Sequence, residues 1–261
     1  MNAVSVPALA VVVPVHNEAD NVLPLLEEIQ AVLEGRLEYE VLYVDDASSD
    51  DTARQLTDAA QRFPRLRVFR HRTRAGQSSA IATGVRRARA ALIATLDGDG
   101  QNDPADIAML LRCRAAETAS SPGPLLIVGW RRERHDTWLR RVSSRIANGY
   151  RSRLLGDATP DTGCGLKLFE RETFLQLPFF DHMHRFLPAL FLRQGSRVLS
   201  VPVRHRPRLR GRSHYGVSNR LWVGLVDVAG VAWLRRRMQQ VTVEAVVDRE
   251  QREQRERAEA L

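Results

Sequence analysis

Short apolar stretches of strand length alternate with amphipathic stretches of helix length through the first half of the chain. Leu9–Val15 is almost continuously apolar, whereas the apolar residues of Ala19–Leu33 recur every three or four positions. The same pattern predicts further strands at Glu40–Val44 and Leu66–Phe69, one ending at Asp97 and one at Leu125–Val128, and further helices at Thr52–Arg62, Ser78–Ala88 and Asp103–Ala116. Such alternation predicts an α/β fold, with a mostly parallel sheet flanked by helices.

Polar residues follow each of the first four predicted strands. The segments are Pro14-Val15-His16-Asn17-Glu18, Val44-Asp45-Asp46-Ala47-Ser48, Arg74-Ala75-Gly76-Gln77 and Asp97-Gly98-Asp99. One such segment alone could be a helix N-cap, since Asp, Asn and Ser are favoured there. Because the carboxyl ends of parallel strands share one edge of the sheet, where ligands bind, four of them predict a binding site.

The two aspartates of Asp97-Gly98-Asp99 offer hard oxygen ligands at this predicted edge. Their i, i+2 spacing suits one divalent cation, and the amide oxygen of Gln101 is a third possible ligand. Mg²⁺ or Mn²⁺ bound here would hold the diphosphate of a nucleotide-linked substrate. The alternative is a turn rich in Asp and Gly whose charges are simply solvated.

The positive net charge of the chain favours negatively charged binding partners. The chain has 261 residues and a net charge of +8, with Lys167 as the single lysine. Such a surface suits nucleic acid, an anionic membrane surface or phosphate-bearing substrates. No aromatic and basic module of an RNA-binding kind is present, so we expect no nucleic-acid partner. No G-x-G-x-x-G follows the first strand and no P-loop motif occurs, which disfavours dinucleotide-binding and P-loop folds.

The chain shows no signal-peptide pattern and no run of 18 to 20 apolar residues. Its two cysteines, Cys113 and Cys164, have no metal-ligand spacing, which is typical of a reducing compartment. We therefore expect a cytoplasmic protein attached peripherally to the cytosolic face of a membrane.

The segment Leu221–Leu234 predicts an amphipathic helix near the C-terminus. It is apolar apart from Asp227, places Trp222 and Trp233 on one face, and is followed by three arginines. Tryptophan and arginine suit the headgroup region of a membrane; a buried helix or a homo-oligomer interface is the alternative. The predicted organisation is a catalytic domain over 1–218, this amphipathic helix over 219–238 and a charged tail over 239–261.

Together these motifs resemble those of the inverting family 2 glycosyltransferases of GT-A fold. Asp161-Thr162-Gly163-Cys164-Gly165-Leu166-Lys167-Leu168-Phe169 and the basic segment from His205 to Gly216 are similar to motifs of the dolichol-phosphate mannosyltransferase branch. The resemblance extends from about residue 8 to 236. Two departures are His16, where tyrosine is common, and His214, where lysine is usual.

The resemblance implies a role for each matching residue. It places the nucleotide against Pro14, His16, Glu18, Val44, Asp46, Gly76, Asp97 and Gly98, with Asp46 near the base and Glu18 near the ribose. It places the metal on Asp97, Asp99 and Gln101, and the acceptor phosphate on Arg131 and Ser213. It makes Asp99, Arg208 and Asp161 the catalytic residues, Asp161 as a possible base; a loop aspartate bonded to backbone is the alternative for Asp161.

The sequence as a whole predicts a metal-dependent transferase that moves mannose or another hexose from a nucleotide-diphosphate sugar to a polyprenyl or dolichyl phosphate. A phosphate monoester with a second pKa of about 6 is already largely dianionic at neutral pH, so it needs positioning more than deprotonation. The alternatives are a family 2 enzyme with a saccharide or other non-lipid acceptor, and a catalytically silent membrane-associated protein of the same fold.

Overall fold

A computed structural model of the protein describes residues 6–131, 153–207 and 220–237, with side chains from 226 onward in the last range. In these ranges seven strands form one sheet of order β3-β2-β1-β4-β6-β5-β7. The strands are β1 Leu9–Val15, β2 Tyr39–Asp45, β3 Leu66–Arg70, β4 Leu92–Thr95, β5 Leu125–Arg131, β6 Lys167–Glu170 and β7 Arg197–Val203. The helices are α1 Ala19–Leu33, α2 Thr52–Arg62, α3 Gln77–Arg87, α4 Asp106–Ser120, α5 Arg171–Leu175, α6 Leu187–Arg193 and α7 Arg220–Arg237, with a 3₁₀ turn at Met183–Arg185.

One strand of the sheet, β6, is antiparallel to the other six. β6 pairs antiparallel with both β4 and β5, while all other neighbouring pairs are parallel. The carboxyl ends of the six parallel strands therefore meet at one edge, and β6 begins at that same edge. This direction brings Lys167, the first residue of β6, beside the ends of β4 and β5.

Alternating residues of β1 build two cores, one on each face of the sheet. Leu9, Val11 and Val13 pack on the side of α1, α2 and α4, whereas Ala10 and Val12 pack on the side of α3 and α6. Helix α3 lies so close to β1 that a Cβ at Gly84 would come within 2.4 Å of Val12. Apart from the partly exposed Pro14, β1 is buried and forms a packed floor beneath the polar edge.

The structure confirms the predicted α/β fold but shifts several boundaries. β4 ends at Thr95, so Asp97 lies in the turn beyond the strand, and β5 continues to Arg131. α4 begins at Asp106 because the preceding residues form a turn, in which the Asp103 carboxylate accepts from the Ala105 amide. Between residues 155 and 220 the sequence pattern predicted no strand or helix, whereas the structure contains β6, α5, the 3₁₀ turn, α6 and β7.

The C-terminal helix α7 packs against α6 and leaves its outer face exposed. Val231 is 1% exposed within the core, while Val226 and Trp233 on the other side are 58% and 60% exposed. Asp227 Oδ2 lies 3.1 Å from His182 Nδ1 and joins the helix to the 3₁₀ turn. Within the described ranges no helix has the length and apolar content that crossing a bilayer requires.

Candidate active site

A cavity of about 590 Å³ opens at the carboxyl edge of the sheet. It collects most of the residues that the sequence analysis selected: Pro14, His16, Glu18, Asp46, Gly76, Asp97, Gly98, Asp99, Gln101 and Arg131. Val44 does not line it, because its side chain is fully buried within β2. Asp161 does not line the cavity but forms an ion pair with Arg131, which does. Arg208 and Ser213 lie outside the described residues.

Asp97 is a buried carboxylate whose position is closely constrained by its neighbours. Its Oδ1 accepts a hydrogen bond from Gln77 Nε2 at 2.8 Å, and a Cβ at Gly165 would lie only 2.2 to 2.3 Å from its carboxylate atoms. Only glycine therefore allows the backbone of residue 165 to approach Asp97 so closely. Burial, followed by the negative charge of Asp99, raises the pKa of Asp97 to about 6.

The donor set of Asp97 and Asp99 fits a divalent cation whose remaining ligands come from substrate and water. The charge of Asp99 opposes ionisation of Asp97, and a cation between them would relieve that repulsion. Asp99 Oδ1 accepts the amide N–H of Gln101 at 3.1 Å, so Gln101 is held beside the pair. Among the described residues no cluster of three or more His, Cys, Asp or Glu could hold a metal by itself.

Asp46 fixes the loop that precedes α3. Its carboxylate accepts hydrogen bonds from the backbone amides of Ala75 and Gly76, both at 2.8 Å, and from the imidazole Nδ1 of His71, also at 2.8 Å. Burial alone would raise the pKa of Asp46, but these hydrogen bonds lower it below its ordinary value. Asp46 therefore remains ionised and shapes this wall of the cavity.

The tips of β1 and β2 are tied together by side chains. His16 Nδ1 donates to the carbonyl oxygen of Asp46 at 2.8 Å, and Asn17, at a φ of 58°, accepts the Ser49 amide through Oδ1. Glu18 Oε2 accepts from Asn21 Nδ2 at 2.7 Å. His16 and Glu18 thus sit at defined positions on the same wall as Asp46.

Arg131 and Asp161 form a bidentate ion pair. Arg131 Nε and Nη2 donate to the two carboxylate oxygens at 2.6 and 2.9 Å, and the side chains are 14% and 5% exposed. Burial alone would lower the pKa of Arg131, but Asp161 raises it above its ordinary value. Both carboxylate oxygens of Asp161 accept hydrogen bonds from Arg131. This geometry suits a residue that positions the guanidinium beside the cavity better than one that removes a proton from a substrate.

Six polar side chains of the cavity received no individual role from the sequence, namely those of Arg74, Gln77, Thr95, Lys167, His184 and Arg185. Lys167 is buried, and its Nζ donates to the carbonyl of Cys164. Burial lowers its pKa, whereas the charge of Asp97 raises it. The available signal for Lys167 was that it is the single lysine of an arginine-rich chain. Gln77 stands in one of the four polar segments predicted at the edge of the sheet, whereas His184 and Arg185 had no signal in the sequence.

The segment that follows β7 is joined to the Asp97–Asp103 turn. Arg206 donates its amide N–H to the Gln101 carbonyl at 2.9 Å, and its Nη2 lies 2.8 Å from Asp103 Oδ1. A third contact joins Arg206 Nη1 to Glu28 Oε2 at 2.6 Å. The basic segment that begins at His205 is therefore anchored at its start beside Gln101.

Comparison with known sequences finds one matching family model and several related sugar transferases. The model of the family described as Glycosyl transferase family 2 matches residues 10–177. A dodecaprenyl-phosphate galacturonate synthase of Rhizobium johnstonii is 35% identical over 237 residues, covering 87% of this chain and 67% of that protein. An undecaprenyl-phosphate 4-deoxy-4-formamido-L-arabinose transferase of Edwardsiella ictaluri is 34% identical over 212 residues, covering 80% of this chain and 63% of that protein. The chain thus spans about two thirds of the length of these curated relatives.

Solved structures share the architecture at low sequence identity. Glucosyl-3-phosphoglycerate synthase of Mycobacterium tuberculosis, in complex with Mn²⁺, UDP-glucose and phosphoglyceric acid, has a TM-score of 0.62 at 18% identity, over 91% of this chain and 82% of that one. The mannosyltransferase PcManGT of Pyrobaculum calidifontis, in complex with GDP-Man and Mn²⁺, has a TM-score of 0.59 at 21% identity, over 92% and 67%. At these identities the likeness concerns the fold.

Proposed function

The chain belongs to glycosyltransferase family 2 and has the GT-A fold, and from that premise we propose that it transfers a sugar from a nucleotide-diphosphate donor to a polyprenyl phosphate. The observation that carries the proposal is the cavity in which Asp97 and Asp99 face Arg131 and Lys167. A metal-ion site beside the guanidinium of Arg131 and the buried ammonium of Lys167 suits a reaction between two phosphate-bearing substrates.

The acceptor assignment is supported by the relatives, whose names specify dodecaprenyl and undecaprenyl phosphate. We propose the same class of acceptor here, including dolichyl phosphate, which presents the same phosphate monoester. For the donor we propose a hexose-type sugar, mannose being the one implied by the resemblance to the dolichol-phosphate branch. Both substrates rest on similarity and on the charge of the cavity.

The donor would lie across the edge of the sheet. Its nucleoside would occupy the wall formed by His16, Glu18 and Asp46, with the diphosphate beside Asp97 and Asp99. Mg²⁺ or Mn²⁺ held by the two aspartates, with Gln101 as a further oxygen ligand, would stabilise the charge of the leaving diphosphate.

The transfer is proposed as a single displacement with inversion at the anomeric carbon. A phosphate oxygen of the acceptor forms the new bond to that carbon while the bond to the donor's diphosphate oxygen breaks, and the nucleoside diphosphate leaves. The acceptor phosphate is largely dianionic at neutral pH, so no proton needs to be removed from it. In this reaction Arg131 neutralises acceptor charge and Asp161 holds Arg131 in place.

We also propose that α7 brings the enzyme to the cytosolic face of a membrane. Its exposed side carries Val226, Ala229, Gly230 and Trp233, followed by Arg236 and Arg237. An apolar stripe with tryptophan and adjacent arginines suits the interface of an anionic bilayer. This placement would put the cavity near an acceptor that resides in the membrane.

The decisive experiment is a radiolabelled transfer assay on a short polyprenyl phosphate. GDP-mannose, UDP-glucose and UDP-galacturonate are offered in parallel, with Mn²⁺ and then with EDTA. An EDTA-sensitive, organic-soluble product supports the proposal, and Asp99→Ala should remove it. Asp58→Ala, which changes an exposed carboxylate on α2 away from the cavity, is the matched control. Nucleotide binding without a lipid product would favour a non-lipid acceptor, and absence of nucleotide binding would favour a silent protein of this fold.

A further inference from the structure

The 3₁₀ turn Met183–Arg185 is held in place from three sides. The Ser78 hydroxyl accepts the His184 amide at 3.2 Å and hydrogen-bonds the His184 ring at 2.7 Å. His182, at a φ of 62°, contacts Asp227 of α7, and Met183 is buried in the core. The turn therefore has a defined position over the beginning of α3, and its last residue, Arg185, forms part of the cavity wall.

Three of the cationic side chains that line the cavity, Arg131, Lys167 and Arg185, differ in the groups that they already contact. Arg131 is paired with Asp161, and Lys167 is buried against the Cys164 carbonyl within the field of Asp97. Arg185 is exposed, and within residues 6–131, 153–207 and 226–237 no carboxylate lies within ion-pair distance of its guanidinium. The neighbouring acid, Asp181, lies 3.6 Å from the imidazole of His182 instead.

An arginine on a braced turn in the wall of this cavity, which also holds Arg131 and Lys167, is placed for recognition of an oxyanion. Guanidinium groups bind phosphate oxygens through directed, charge-assisted hydrogen bonds. The hydrogen bonds between Ser78 and His184 limit the backbone freedom of the turn that would otherwise be lost on binding.

We propose that Arg185 is a substrate-binding residue of this site and contacts a phosphate oxygen. This inference rests on the proposed function for the identity of the substrates. The shared chemistry is a phosphate oxyanion, which either the donor diphosphate or the acceptor phosphate can supply.

The test measures two binding equilibria separately. Affinity for UDP and GDP is measured with Mn²⁺, and affinity for a short-chain polyprenyl phosphate in detergent is measured alone, for wild type, Arg185→Gln and Arg185→Lys. Arg112→Gln is the matched control, because Arg112 is an exposed arginine of α4 outside the cavity. Loss of a hydrogen bond to a charged group should weaken one of the ligands roughly 10- to 100-fold in Arg185→Gln, with partial recovery in Arg185→Lys.

Each result has a defined meaning. Weaker nucleotide binding with unchanged lipid binding assigns Arg185 to the donor, and the reverse assigns it to the acceptor. Affinities within twofold of those of Arg112→Gln for every ligand would overturn the inference. Because both arms measure binding, they report on Arg185 even if wild type transfers no sugar to lipid, a result that would refute only the proposed function.

Discussion

Replacement of Gly165 by alanine should damage the site while leaving the fold intact. The added Cβ would lie 2.2 Å from the carboxylate carbon of Asp97 and 2.3 Å from both of its oxygens, whereas ordinary contact begins at 3.4 Å. The carboxylate must therefore move by about 1 Å, and the hydrogen bond from Gln77 must lengthen or break. A displacement of that size at a reacting centre costs roughly 100-fold in rate, equivalent to about 2.7 kcal/mol of transition-state stabilisation.

The matched control for Gly165→Ala lies two residues away. A Cβ at Gly163 would meet Arg131 Nη2 at 3.4 Å and Asp161 Oδ1 at 3.7 Å, which are ordinary van der Waals distances. The assay compares kcat/KM for transfer, Mn²⁺-dependent nucleotide affinity and Tm in the two variants. Gly163→Ala should retain near wild-type values. If Gly165→Ala also kept its rate within threefold of wild type, the argument that Asp97 must occupy this position would be refuted.

Three further predictions concern the charges and the exposed helix. The pKa of Asp97 is raised to about 6, so its ionised fraction falls from about nine-tenths at pH 7 to about one-tenth at pH 5, and Mn²⁺ affinity should fall about tenfold over that range. The folded protein binds this proton more tightly than the unfolded chain does. The metal-free protein should therefore lose stability as the pH rises from about 4 to 6. A calorimetric titration at both pH values checks the first point, and Asp97→Asn should abolish the dependence. Asp161→Ala should lower the free energy of unfolding by about 3 kcal/mol, because it leaves the Arg131 charge buried and unpaired, as measured by urea denaturation; unchanged stability with complete loss of transfer would instead indicate a base. Trp233→Glu should reduce co-sedimentation with anionic vesicles several-fold without changing nucleotide affinity, and equal sedimentation of the two proteins would count against the membrane role of α7.

The local pattern of the chain was sufficient for the first half of the fold. The alternation of Leu9–Val15 with Ala19–Leu33 depends on side-chain periodicity, which neighbouring residues set by themselves. The edge position of Asp46, Asp97 and Asp99 followed from the same pattern, because parallel strands joined by helices end at one side of a sheet. The seven-stranded sheet and the cavity confirm these predictions.

Only the tertiary structure decided what the charged side chains bind. Arg131 meets Asp161 across thirty residues, and Ser78 meets His184 across more than a hundred. The reversed direction of β6, which brings Lys167 to the site, depends on pairing with β4 and β5 rather than on its own four residues. Periodicity predicts which face of an element is buried, whereas partners distant in the chain are selected by packing and by the need to pair buried charges. For that reason the sequence alone identified the edge of the sheet at which the cavity lies, and the fold determined that Arg131 is paired while Arg185 lines the cavity.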